Sequence, residues 1–327
     1  AYSLASVYSD TEAAEQLQSQ KALVKQLLSV ESTTAGLTEL LYSDEIAIQL
    51  HKMGFKAVMT EGAKHILSWK SPNYVYSSSA APKLKVLLRN TTLSDELAFH
   101  FSDSTWHNFP MDAEKFATAL ATLPEEEQVV NIWVGAETFG IRQPAASGIF
   151  DFLKALPYYA MEQEMGFMTP SEVAKKFAAS DAVVVPYPLT WAGEGKDLST
   201  YNGNDLQQEA VQKLYAVAER VHLCKDKQLK HDWLILQDVN YLHFMNHIDQ
   251  GATQFESAYD AFINYMNILS DFLQRVEEQY PTTIENEELN ELLKTIQNQE
   301  KEIAKLEKQL KEAKKTTKKT CAKKAEK

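Results

Sequence analysis

The chain has 327 residues, enough for one large domain and a smaller one, and its 44% hydrophobic content with 14 Phe, 14 Tyr and 5 Trp excludes a disordered protein. The formal charge is −12, but the last 31 residues carry 11 of the 33 basic and 5 of the 45 acidic side chains, which leaves the rest at −18. So acidic a body argues against a polyanionic partner, and no nucleic acid is expected for the main domain. Cys224 and Cys321 are the only cysteines and lie far apart, so a reducing, cytoplasmic setting is expected. No apolar run reaches the ~18 residues of a membrane helix, and no signal-peptide pattern stands at the start, so no membrane partner is expected.

In chain order, residues 10–29 show helical spacing at Leu17, Leu23, Val24, Leu27 and Leu28. Short apolar runs then alternate with helical segments. The strand candidates are TAGLTEL (34–40), FKAVMTE (55–61), LKVLLRN (84–90), VVNIWVG (129–135) and AVVVPY (182–187). Between them lie the helical patterns SDEIAIQLHKMG, DAEKFATALATL, SGIFDFLKALP and TPSEVAKKFAA, the last with Thr169 as N-cap and Pro170 at the first helical position. Strands without alternation are buried on both faces, which predicts an α/β protein with a parallel sheet or barrel.

Chemistry in such folds gathers where strands end. The strand ends collect Glu39, Glu61, Arg89, Asn90, Glu137 and the aromatic stretch Tyr187 to Trp191. Carboxylates, an Arg, an Asn and aromatics in one place suit a sugar-binding cleft, although each charge could also be a solvated loop residue. Beyond residue 204 the pattern turns wholly helical, through 205–223, 230–249 and 255–279. His243 and His247 share a helix face but lack an accompanying carboxylate motif, so they read as packing or surface residues and no metal is expected. After Pro281, Leu289, Leu292, Ile296, Ile303, Leu306 and Leu310 fall on a/d positions, with Gln299 at one of them, which predicts a short coiled coil. The Lys-rich remainder, 313–327, is of low complexity and reads as disordered.

The blocks LTELLYSDEIAIQLHKMGFKAVMTEG, SPNYVY, LLRNTTLSDELAFHFSD, ETFG, SGIFDFLKALP, WAGEGKDLSTYNGNDLQ and SAYDAFINYMNIL, spanning about 1–270, resemble the α-amylase-type branch of glycoside hydrolase family 57. The resemblance implies part of a (β/α)7 barrel over 1–195 and a helical region over 196–280 that closes the cleft; the coiled coil read from the heptads follows over 281–312 and would join copies of the chain through 284–312. It also implies retaining hydrolysis of α-glucans or maltooligosaccharides, without a metal or other cofactor. The family's blocks upstream of Ala1 are missing, so the sequence reads as N-terminally truncated, with an open barrel edge.

Residue by residue, the resemblance puts Glu39 at the nucleophile position, in Gly36-Leu37-Thr38-Glu39-Leu40, where the family has Arg-Asn-Thr-Glu-Leu. The acid/base Asp of an Asp-Tyr-Glu-Thr-Phe-Gly block is replaced: here the block reads Gly135-Ala136-Glu137-Thr138-Phe139-Gly140. A retaining glycosidase needs one carboxylate to attack and a second to protonate the leaving oxygen, and glycine carries no proton. Two residues along a strand point the same way, so Glu137 could swing into the gap, although a supporting role is the simpler reading. A Thr-Ser-Asp-His block of the helical region reads Asp238-Val239-Asn240-Tyr241, which loses a carboxylate and an imidazole. Glu61, Arg89, Asn90, Asp95, Trp191 and Tyr241 complete the expected substrate-binding set, with Asp95 also placed to orient Arg89. Hydrolysis is therefore expected to be weak or lost. The alternative is a non-catalytic glucan-binding or regulatory protein that assembles through its coiled coil.

Overall fold

A computed structural model describes residues 2–246, 254–280, 291–296, 298–303, 305–306 and 309. The chain divides into two compact units, one of residues 2–203 and one from Asn204 onward.

The first unit is built on a five-stranded sheet of order β1-β2-β4-β3-β5. Its strands are β1 (Thr34–Gly36), β2 (Ala57–Glu61), β3 (Val75–Ser78), β4 (Lys85–Arg89) and β5 (Asp181–Val183). The runs 55–61 and 84–90 form the central pair as their apolar content predicts. β2 and β4 run parallel, Ala57 opposite Lys85 through Glu61 opposite Arg89, and Ala57, Val58, Val86 and Leu87 are buried. A helix follows or precedes each as the pattern requires. Ser43 caps Asp44–Lys52 by accepting from the Ile46 amide at 3.3 Å, and that helix buries Ile46, Ala47 and Leu50. Thr169 and Glu172 form a reciprocal capping box at the start of Pro170–Lys176.

Four expectations are corrected. The sheet is mixed: β3, absent from the strands expected from the sequence, lies antiparallel to β4 and parallel to β5. The run 34–40 is a strand only to Gly36 and then tightens into a 3₁₀ turn over Thr38–Leu40. The run 129–135 is no strand. It touches β4 through a single bridge, Arg89 to Asn131, where the Asn131 backbone carbonyl takes the Asn90 amide (2.9 Å) and the Asn131 side-chain amide donates to the Leu88 carbonyl (3.0 Å). AVVVPY likewise pairs only at its start.

Beyond the sheet, the stretches that continue β1 and β5 meet. Tyr42 and Leu189 exchange backbone hydrogen bonds of 3.0 and 2.8 Å, and the Asp44 amide donates to Val185 at 2.8 Å. A second apolar cluster, Leu97, Phe101, Met111, Phe116, Ile149 and Phe152, packs the helices Ala113–Ala121 and Ile149–Glu162 against the 96–101 segment.

The second unit is helical over its described residues, with Asp205–Tyr215, Ala218–Leu223, Lys227–Leu236, Val239–Phe244 and the long Ala258–Gln279. Its core includes Leu229, Trp233, Leu269 and Phe272, with the Trp233 and Phe272 rings stacked at 6.0 Å. Burial pushes the Tyr265 hydroxyl well above its ordinary range, and it donates to the Leu236 carbonyl at 2.9 Å. Residues 291–296 and 298–303 are helical, with Leu292, Ile296 and Ile303 exposed. His247, Leu289, Leu310 and the tail 313–327 lie outside the described residues. Among the described residues no helix is long and apolar enough to cross a membrane.

Candidate functional site

The site of the first unit begins where β1 breaks off. Thr38–Leu40 turns with Glu39 at φ 55°, ψ 27° and Leu40 also at φ 55°, a left-handed pair without glycine. Each such residue costs on the order of 1–3 kcal/mol and persists only where its surroundings hold it. Here they do. The Trp191 amide donates to the Glu39 carbonyl at 3.0 Å, the Thr60 hydroxyl to the Leu40 carbonyl at 2.8 Å, and the Ser3 amide to the Thr38 hydroxyl at 3.2 Å.

The turn delivers the Glu39 side chain into a buried position, 8% exposed. The Tyr2 hydroxyl donates to Glu39 Oε1, while Oε2 is buried with no hydrogen-bond partner among the described residues. Burial first, then the Glu39 hydrogen bond and the charges of Glu39 and Glu137, push the Tyr2 hydroxyl well above its ordinary range. The phenol therefore stays protonated and serves as a donor.

Gly135 has φ −64° and ψ 147°, ordinary extended backbone, and opens a 3₁₀ turn over Ala136–Thr138. A Cβ added there would collide with the Glu137 carboxylate, which fills the space a side chain at 135 would need. Arg142 Nε holds one Glu137 oxygen at 3.3 Å. The Thr138 hydroxyl beside it is buried and has no hydrogen-bond partner among the described residues.

At the ends of β2 and β4, Glu61 and Arg89 sit opposite each other in register and pair at 3.0 Å, almost wholly buried. Arg89 spends its remaining donors on the Trp133 carbonyl (2.7 Å) and Asp95 (2.5 Å). Glu61 Oε1 accepts from the Gly62 amide at 2.8 Å and from the Thr91 hydroxyl. Buried charge is tolerated when every polar atom is matched this way. The Asn90 side chain caps the helix Thr91–Asp95 through the Leu93 amide (3.0 Å) and reaches Asn73 (3.0 Å). Glu61, Arg89 and Asn90 are thus engaged with protein partners.

The Trp191 ring stacks on Phe99 at 6.3 Å and 13°, with the Arg89 guanidinium 5.6 Å from its centre, and Arg142 lies 5.1 Å over Phe99. Phe99 is presented by a π-helical turn, Glu96–His100, a distortion frequent at functional sites. The structure therefore brings Glu39, Glu137, Trp191 and the Glu61–Arg89–Asp95 group together in one unit and adds Tyr2, Phe99 and Arg142, which the sequence reading did not select. Tyr241 belongs to the other unit, its ring tilted on Tyr265 at 5.4 Å. Among the described residues no group of three or more His, Cys, Asp or Glu side chains could hold a metal ion.

Glu39, Glu137 and the Trp191–Phe99 pair thus lie in one unit with the buried Arg89 group. A "Putative alpha-amylase" of Methanocaldococcus jannaschii is 31% identical over 296 residues, 85% of this chain and 62% of that protein. The crystal structure of a GH57-type branching enzyme from Pyrococcus horikoshii superposes with a TM-score of 0.60 at 15% identity, over 86% of this chain and 65% of that one. The chain thus spans a little under two thirds of the length of each. The family model of glycosyl hydrolase family 57 matches residues 1–186, more than half of the sequence, and the chain belongs to that family.

Proposed function

We propose that this protein binds α-glucans at the rim around Glu39 and acts on them by a retaining mechanism, far more slowly than a glycosidase with two well-placed carboxylates. Glu39 is the nucleophile of this reading. The observation that carries it is the exchange at Gly135: no side chain leaves the backbone there, and the carboxylate of Glu137 fills the space. Glu137 then stands as an inferior proton donor, approaching from two residues along the chain and tied to Arg142. Arg89, held by Glu61 and Asp95, fixes the floor beneath Trp191 and the 131–133 backbone. The buried thiol of Cys224 suits the reducing, cytoplasmic setting expected from the sequence.

The test is turnover of maltooligosaccharides by the wild type, Glu39→Gln and Glu137→Gln, with the anomer of the first product followed by NMR. Slow release of the retained anomer, abolished by Glu39→Gln and further slowed by Glu137→Gln, is the expected result. Activity that survives Glu39→Gln rejects the assignment.

A second reading rests on a separate observation, the exposure of Leu292, Ile296, Ile303 and Leu306, each 43% or more, on the helical segments 291–296, 298–303 and 305–306. In it the protein is a non-catalytic glucan binder that assembles through that apolar seam. Maltooligosaccharide binding in the complete absence of turnover, by a chain that self-associates, favours this second reading.

A further inference from the structure

Of the site residues that neither motif nor strand pattern singles out, Tyr2 is the one that touches Glu39. The residue is 44% exposed, yet its hydroxyl reaches the buried Glu39 and donates to Oε1. The other oxygen, Oε2, is buried without a partner among the described residues. A carboxylate with both oxygens free can rotate about its last bond and presents two equivalent attacking atoms. With one oxygen held by a donor, the other alone is directed at the anomeric carbon.

We propose that Tyr2 is a positioning residue for the nucleophile: by donating to Glu39 Oε1 it fixes the carboxylate plane and leaves Oε2 as the attacking oxygen. This rests on the reading of Glu39 as the nucleophile. The hydroxyl is suited to the task because burial and the neighbouring carboxylates keep it protonated, so it remains a donor wherever Glu39 is ionised. The Ser3 amide, bonded to Thr38 at 3.2 Å, and the Ser3 hydroxyl, bonded to Gln16 at 2.7 Å, anchor the adjoining residue beside the turn. The turn itself is already fixed by Trp191 and Thr60, so Tyr2 adds nothing to its shape and acts on the carboxylate.

The step at issue can be isolated with α-maltosyl fluoride, whose leaving group departs without a proton. Glu39 Oε2 forms the bond to the anomeric carbon, the C–F bond breaks, and fluoride leaves with the electron pair. The products are an ester-linked glycosyl-enzyme and a fluoride ion. The full chain would be mixed with this probe and read by the burst of fluoride release, intact mass and peptide mapping of the adduct.

Tyr2→Phe keeps the ring and removes only the donor. A hydrogen bond to a charged group is worth roughly a 10- to 100-fold effect, so the burst at saturating probe should slow by about that factor. The half-saturating probe concentration, measured at a temperature where both proteins are folded, should stay as in the wild type, a split that loss of packing would not produce. An unchanged burst in Tyr2→Phe, with no adduct in Glu39→Gln, overturns the role of Tyr2 and leaves Glu39 as nucleophile. An adduct in Glu39→Gln, or one mapped to Tyr2 itself, overturns both, as does the absence of any adduct in the wild type.

Discussion

Restoring the side chain at residue 135 is the sharpest test of why this site should be slow. Gly135→Asp needs no backbone change, because φ −64° and ψ 147° suit any L-residue. What must move is the Glu137 carboxylate, the far end of a flexible side chain that is 40% exposed. Moving it breaks the Arg142 contact, a half-exposed pair worth ~0.2–1 kcal/mol. It also sets two carboxylates near each other, which in a solvated site costs about 1 kcal/mol at 4 Å. The variant should therefore lose about 1–2 kcal/mol of stability. Against that, a placed general acid contributes ~10²–10⁴ in rate, or about 2.7–5.4 kcal/mol of barrier.

The chemistry allows a built-in control for this variant. Cleavage of a maltooligosaccharide, whose leaving alcohol needs a proton, should rise by about that factor. Reaction with α-maltosyl fluoride, whose leaving group needs none, should change little, and Gly135→Asn should fail on the oligosaccharide. A folded Gly135→Asp with no gain, or with equal gains on both substrates, refutes the argument that the missing proton donor limits the reaction.

Arg89→Met, by stranding Glu61 beneath the cleft, should cost about 3–5 kcal/mol in denaturant unfolding; an unchanged midpoint would mean that the pair at 3.0 Å carries no structural weight. Glu39→Gly relieves a left-handed residue and removes a buried carboxylate oxygen without a partner, so it should raise stability by about 1 kcal/mol while abolishing the maltosyl-fluoride adduct; a lower melting temperature would refute the strain. Removing residues from Pro281 onward should lower the mass seen by light scattering by more than the segment's own mass, because it takes away the exposed Leu292, Ile296, Ile303 and Leu306 through which copies would join; a monomer mass both before and after would sink the self-association. Arg275 holds the Asp232 carboxyl below its usual range, so the stability the pair contributes is present above the unfolded pKa and fades as pH falls through the folded value. Asp232→Asn should accordingly flatten the acid side of the stability profile, and an identical profile would show the pair to be idle.

Much of this was legible in the residues. β2 and β4 announce themselves because both faces are covered, and the family's blocks fix the order of everything around them. What the pattern misassigned were segments whose apolar residues serve packing in place of a ladder. In 129–135, Ile132 and Val134 pack against the Leu97–Phe152 cluster while Asn131 makes the single bridge to β4. In 34–40 the run is apolar enough for a strand, but the left-handed Glu39 and Leu40 are imposed by Trp191 and Thr60 from far along the chain, which no local propensity encodes. β3 was hidden because its second half is the serine pair Ser77-Ser78, which breaks the apolar run. The glycine at 135 was plain from the sequence, whereas its filling by Glu137 and the arrival of Tyr2 at Glu39 are facts of tertiary contact alone.

The exchange of hydrogen bonds between Tyr42 and Leu189, with Trp191 closing on Glu39, has a consequence for the order of events during synthesis. The turn that carries the attacking carboxylate emerges early, but the amide that holds it is encoded about 150 residues later. Until residues 185–191 have left the ribosome, β1 has no such stitch and Glu39 can relax into an ordinary backbone conformation. A nascent chain stalled before residue 189 should therefore expose the Glu39 segment to protease, and one stalled well beyond residue 203 should protect it. The site is the last part of its unit to set, and any slow step in the intervening helices delays the chemistry more than it delays the core.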